Sequence, residues 1–257
     1  MMSNRLTTQR KIIPGTTKGG PSEYREPGMR AVKPRDAATL IIVRRGATPK
    51  ILMGKRASTH AFMPNKFVFP GGRLDPVDQR LQVPGQLKES EMSRLRMFTR
   101  KSVSDRTLRG LALASIREAF EETGLIVGRP TQRTLKTSHA VWQQYFDHGV
   151  EPPLEAMDFI ARAVTPAYRK KRFDTRFFMV FDESIYTDPE DLSDGSGELL
   201  DLHWLTISEA RTLDLPAVTH WVIDLIEARL NCKSFETVSA PARFIRFIGR
   251  RTVEELL

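Results

Sequence analysis

From Leu108 to Gly124 the chain sets an apolar stripe against an acidic one on a helical period, and few folds can accommodate the result. Leu108, Ala112, Ile116, Ala119 and Phe120 recur at three- and four-residue steps, which predicts one buried helix face. The opposite face carries Glu118, Glu121 and Glu122. Gly124 suits the left-handed residue that ends a helix, so the carboxylates fall in the last turns, where the macrodipole is already negative. Like charges at this spacing cost a few tenths of a kcal/mol each, and the helix end adds roughly 0.3–1 kcal/mol. Such a helix needs positive charge beside it. Arg117 is spaced to pair with Glu121 but offers one guanidinium to three acids. A divalent cation would supply the rest, and hard oxygen ligands favour Mg²⁺ or Mn²⁺ over zinc. The plain alternative for such a charge run is a solvated helix face.

The surrounding sequence favours the metal. Residues 117–125, Arg-Glu-Ala-Phe-Glu-Glu-Thr-Gly-Leu, match the second half of the Nudix box position by position, and Phe69-Pro70-Gly71-Gly72 matches its glycine loop. The chain therefore resembles the Nudix hydrolase superfamily. Two departures stand out. Asp78 occupies a position where the family has glutamate, and residues 79–116 separate it from Arg117 where the family has a seven-residue spacer. A box split in this way resembles the branch that contains peroxisomal coenzyme A diphosphatases, as do "FMPNKFVFPGG" at 62–72, "RFDTRFF" at 172–178 and "ELLDLHW" at 198–204. The Arg and Gly that some coenzyme A hydrolases carry ahead of the glycine loop fall here on Ala61 and Asn65.

The resemblance implies an α/β fold with a mixed β-sheet sandwiched between α-helices. It also implies hydrolysis of the pyrophosphate linkage in a nucleoside diphosphate derivative, with Mg²⁺ or Mn²⁺ held by Glu118, Glu121, Glu122 and a backbone carbonyl at Gly72. Arg117 would orient Glu121 or its neighbour, and the water-activating base would be a box glutamate or Glu198, an acid outside the box. Asp75 and Asp78 are candidates for the outer metal shell or, equally, for capping the turn at Pro76. Arg56, Phe69, Arg172 and Arg176 are the substrate-binding candidates. Phe62, Met63, Trp142, Tyr145 and Phe146 suit either stacking on a base or the core. Coenzyme A or acyl-coenzyme A leads as substrate on branch resemblance, followed by ADP-ribose or NADH. A non-catalytic nucleotide- or RNA-binding regulator is the alternative of a different class.

Charge is unevenly distributed. Residues 1–36 and 79–116 each carry eight Lys/Arg against three acids, while the whole chain nets +9, so the body is close to neutral. The first segment, with "PGTTKGGPSEYREPG", reads as a disordered basic tail, and 37–240 as one domain with an insertion at about 79–109, followed by an extension at 241–257. No nucleic-acid motif accompanies the basic charge, so nucleic acid is not an expected partner. The apolar runs are too short to span a membrane and the start lacks a secretory signal. One cysteine, Cys232, excludes an internal disulfide and suits a reducing cytoplasm. The end, Glu254-Glu255-Leu256-Leu257, is unlike a peroxisomal address, so the expected location is cytoplasmic. The partner expected is a small nucleotide, and a homodimer is compatible with the sequence. The five histidines lack zinc-ligand spacing.

Strands are expected at "AATLIIVRR", "KILMGKR", 125–128, 160–165, 172–182 and 199–205. Helices are expected at 88–101, from an Asp105 cap to Thr123, after a capping box at Thr206–Glu209, and from Pro216 to Asn231 with Val218, Trp221, Val222 and Leu225 inward.

Overall fold

Branched and aromatic residues build the long strands, and their alternation assigns each side chain to one of two cores. The computed structural model describes residues 11–12, 28, 30–58, 65–192, 195, 197–231, 241–248 and 251–257. In chain order the first elements are β1 (Lys11–Ile12), β2 (Arg35–Arg44), β3 (Lys50–Arg56), β4 (Phe67–Val68), β5 (Gly71–Arg73), α1 (Pro76–Arg80), α2 (Glu89–Arg96) and α3 (Asp105–Thr123). There follow β6 (Arg129–Pro130), α4 (Ala140–Asp147), β7 (Val150–Glu151), β8 (Asp158–Val164) and β9 (Phe173–Phe181). The chain closes with β10 (Leu199–Thr206), α5 (Ile207–Arg211), α6 (Ala217–Leu230), β11 (Arg243–Ile248) and β12 (Arg251–Leu256).

The main sheet runs β1-β12-β11-β8-β9-β2-β3-β10, with β4 added to β3 and β5 to β2. It is mixed. The β2–β9 and β11–β8 pairs are parallel, whereas β2–β3, β8–β9 and β11–β12 are antiparallel. Successive residues of β2 serve opposite faces, as strand pleating requires. Ala38, Leu40 and Ile42 pack with Leu111, Ala112 and Ile116 of α3, while Ile41 and Val43 pack with Val222, Ile223 and Ile226 of α6. This is the expected sheet between helices. Among the described residues no helix is long and apolar enough to cross a membrane.

Several expectations shift. Helix α3 is capped by Ser104, whose side chain accepts from Thr107 N–H, rather than by Asp105. Residues 125–128 form one isolated bridge, Val127 with Ile185, because Ile126 and Gly128 donate instead to the Thr187 hydroxyl and the Ser184 carbonyl. The insertion is no loose excursion: Met92 and Leu95 of α2 join the core, and buried Glu91 accepts from Phe159 N–H at 2.9 Å. The extension at 241–257 contributes two strands, β12 pairing onward with Lys11–Ile12. The rest of the basic tail up to Pro27, along with Ala61, Phe62, Met63 and Cys232, lies outside the described residues.

Candidate active site

The site begins where β5 meets α3. Gly71 has φ +157°, and a Cβ there would stand 2.5 Å from the Ala38 carbonyl and 2.6 Å from Thr39 Cα, so only glycine fits. A Cβ on Gly72 would meet the Glu118 carboxylate at 2.3 Å. Gly71 N–H donates to Glu122 Oε2 at 2.8 Å. The diglycine bend therefore touches two of the three glutamates directly, across the whole insertion.

One guanidinium binds the cluster together. Arg117 is 6% exposed. It donates to Asp78 Oδ1 and Oδ2 at 3.0 and 3.1 Å and to the Arg73 carbonyl at 3.0 Å. It also reaches Glu118 Oε1 at 3.0 Å and Glu121 Oε2 at 3.2 Å. Burial disfavours its charge, but the bonds to Asp78 and the nearby Glu118 outweigh that and raise its pKa. Asp78 is fully buried and accepts a further bond from Trp142 Nε1 at 2.8 Å. With Asp75 it forms a capping box on α1, so both acids serve the turn at Pro76, and Asp78 faces Arg117 rather than an outer metal shell.

The carboxylates remain short of countercharge. Desolvation raises the Glu118 pKa, with Arg117 offsetting part of the shift. Burial pushes Glu122 up to about 8, against the lowering influence of Gly71 N–H and Arg56, while Glu118 and Glu198 raise it further. Oxygen donors in this condition, beside a glycine carbonyl that no side chain screens, fit a hard divalent cation. The expected three-glutamate cage is nevertheless not closed. Among the described residues no three His, Cys, Asp or Glu side chains stand together as a metal set, since Glu122 turns to Gly71 and Glu118 to Arg117.

A cleft of about 1050 Å³ opens over this cluster, lined by Glu118, Glu121, Arg117 and Gly72, with Glu198, Arg56 and Phe69 on its walls. Glu122 sits behind that lining at 2% exposure. Two strands floor the remainder: Arg35, Ala37 and Thr39 of β2 pair in register with Phe173, Thr175 and Phe177 of β9, and all six line the cleft.

The same pleat removes a candidate. Arg176 lies between Thr175 and Phe177, so it faces away, 2% exposed, held by Asp36 at 2.6 Å and Asp174 at 3.3 Å. Arg172 is likewise not brought to the cleft, because it donates to the Thr165 and Val32 carbonyls at 2.9 and 2.8 Å. Trp142, Tyr145 and Phe146 stack within the core at 0%, 0% and 7% exposure, and none is offered to a base. Conversely, Lys33, Arg35, Arg73 and Phe173 line the cleft without having been singled out. The alternation of Arg35, Ala37 and Thr39 ahead of an apolar strand is a signal that could have found Arg35.

A mixed sheet between helices, with a glycine bend set against the glutamates of one of them, is the Nudix fold. A solved structure bears this out: a NUDIX hydrolase from Alicyclobacillus acidocaldarius is 26% identical and superposes with a TM-score of 0.57 over 80% of this chain and 97% of that one. No family model matches the chain. In sequence it is similar to "Putative nudix hydrolase 7" of Caenorhabditis elegans, at 25% identity over 186 residues, which are 68% of this chain. The match spans about half of that relative, 52% of its length.

Proposed function

We propose that this chain is a metal-dependent pyrophosphohydrolase acting on a nucleoside diphosphate derivative, with coenzyme A or an acyl-coenzyme A as the leading substrate. The observation that carries the reading is the contact of the diglycine bend with Glu118 and Glu122 at the edge of the cleft. A purely structural helix end would gain nothing from desolvating acids against a glycine turn. The substrate assignment rests on the split box and on the stretches at 62–72, 172–178 and 198–204.

Glu118, Glu121 and the Gly72 carbonyl would hold Mg²⁺ or Mn²⁺, with Glu122 behind them. When bound, such an ion offsets phosphate charge and lowers the pKa of water, effects worth several kcal/mol. The protein's own groups do the rest. Arg117, anchored by Asp78, keeps Glu118 and Glu121 aimed along one side of α3. Arg56 faces the diphosphate and draws off part of its charge. Phe69 excludes water from the wall opposite. Glu198, on the cleft wall ahead of β10, takes the proton of the attacking water.

The test is a panel of coenzyme A, acyl-coenzyme A, ADP-ribose and NADH, with products identified by mass. Turnover should require added Mg²⁺ or Mn²⁺ and fall at least about 100-fold in Glu121→Gln, a barrier increase near 3 kcal/mol. Binding without turnover on every substrate sinks the enzyme reading, and a preference for ADP-ribose or NADH sinks the coenzyme A assignment.

A further inference from the structure

Away from the glutamates the cleft lining holds two aspartates, Asp36 and Asp75, both already engaged, one by Arg176 and the other as the cap of α1, so the charge left over is basic. Lys33, Arg35 and Arg73 line it and are exposed, and none of the three has a side-chain partner among the described residues. Other arginines of the sheet are engaged: Arg44 with Glu190, Arg162 with Asp174, Arg176 with Asp36, Arg246 with Glu255. Register fixes how these cations lie. Arg73 pairs with Ala37, and Arg35 is the next residue of β2 on that same face, so the two are diagonal neighbours about 7–8 Å apart. Like charges so placed repel unless an anion is shared between them. Gly72, against which Glu118 packs, pairs with Ala38, which puts Arg35 three residues along the strand, about 10 Å from the acidic end. The span is that of a ribose ring and its linkages.

We propose that Lys33, Arg35 and Arg73 form an anion subsite for a second phosphate, carried on the ribose of the substrate and separate from the diphosphate that is cut. The proposal rests on the pyrophosphohydrolase reading and narrows its substrates to nucleoside diphosphate derivatives with a phosphorylated ribose. Arg35 and Arg73 supply paired guanidinium donors that suit a phosphate, and Lys33 adds a point charge.

Calorimetric titration of the full chain with adenosine 3′,5′-bisphosphate, with 5′-ADP and with 5′-AMP tests the subsite without turnover. The bisphosphate should bind about tenfold tighter than 5′-ADP, which places its two phosphates on one carbon, as one charge-assisted contact predicts. The triple variant Lys33→Ala, Arg35→Ala, Arg73→Ala should abolish that preference while melting as the parent does. Equal affinity for the two, or a preference that survives in a folded triple variant, overturns the subsite. In parallel, kcat/KM for coenzyme A should exceed that for 3′-dephospho-coenzyme A. Turnover of both at equal rates overturns the specificity and leaves the enzyme reading intact. A bisphosphate preference lost in the variant, with neither compound cleaved, supports the subsite and sinks the enzyme reading instead.

Discussion

Asp78 and Arg117 lie 39 positions apart in sequence and share two hydrogen bonds, at 3.0 and 3.1 Å, in a place where Asp78 has no exposure at all. This pair closes the loop that the insertion opens. It holds α1 to α3 and sets the guanidinium from which Glu118 and Glu121 take their orientation. Removing one partner of a buried pair leaves the other charged and desolvated, so Asp78→Asn should cost about 3–5 kcal/mol. Trp142→Phe deletes one donor to the same carboxylate and leaves part of the fully buried ring's space unfilled, and should cost about 1–3 kcal/mol. Urea titration of both variants checks the order. A larger loss in Trp142→Phe than in Asp78→Asn would mean that the indole, rather than the ion pair, dominates.

Gly72→Ala tests the site without touching a charge. The new Cβ falls 2.3 Å from the Glu118 carboxylate, which must swing aside. In the parent, Mn²⁺ at about 100 times its Kd should add roughly 2.7 kcal/mol of stability, visible as a raised Tm. In the variant most of that increment should vanish, while the metal-free Tm changes little, because a carboxylate end moves more cheaply than backbone. An undiminished Mn²⁺ response would place the ion away from the bend.

The parts that sequence made legible are those where chemistry and spacing coincide. Gly71, Gly72, Glu118 and Glu122 could be paired across the insertion because a glycine turn and an acidic helix end each make sense only with a partner. Arg172 and Arg176 were misjudged for a different reason: a strand presents every second residue to one face, and nothing in "RFDTRFF" says which face the cleft takes. Trp142, Tyr145 and Phe146 recur at helical spacing, which suits core more often than ligand, and α4 buries all three. Glu91 illustrates a further limit, since an acid at the start of a basic helix reads as solvated, and only the fold reveals that the amide of Phe159 needs it.

Arg176 and Arg56 should respond oppositely. Arg176→Met removes a buried cation from Asp36 and Asp174 and should lower stability by about 2–3 kcal/mol with KM unchanged. Arg56→Ala, on the cleft wall, should raise KM severalfold with a modest change in Tm. Thermal melts beside initial-rate kinetics separate the two, and a KM effect from Arg176→Met would return that residue to the substrate's side.

Glu122 should give the metal-free protein an unusual pH dependence. Burial lifts its pKa from 4.5 to about 8, so the folded state holds this proton more tightly than the unfolded chain does. The linkage then has a definite sign. Stability from this group is fully present below about pH 4.5 and is lost as pH rises toward 8, because the unfolded chain ionises first. Glu118, also raised by desolvation, pushes the same way. Chemical denaturation in chelator between pH 5 and 8 should therefore show stability falling with pH, with a shallower fall in Glu122→Gln. Adding Mn²⁺ should reverse the trend, since the ion competes with the proton for the same oxygens and binds better as they ionise. A flat profile in the metal-free parent would mean that Glu122 is ionised throughout, with Arg56 and the Gly71 amide enough to hold its charge.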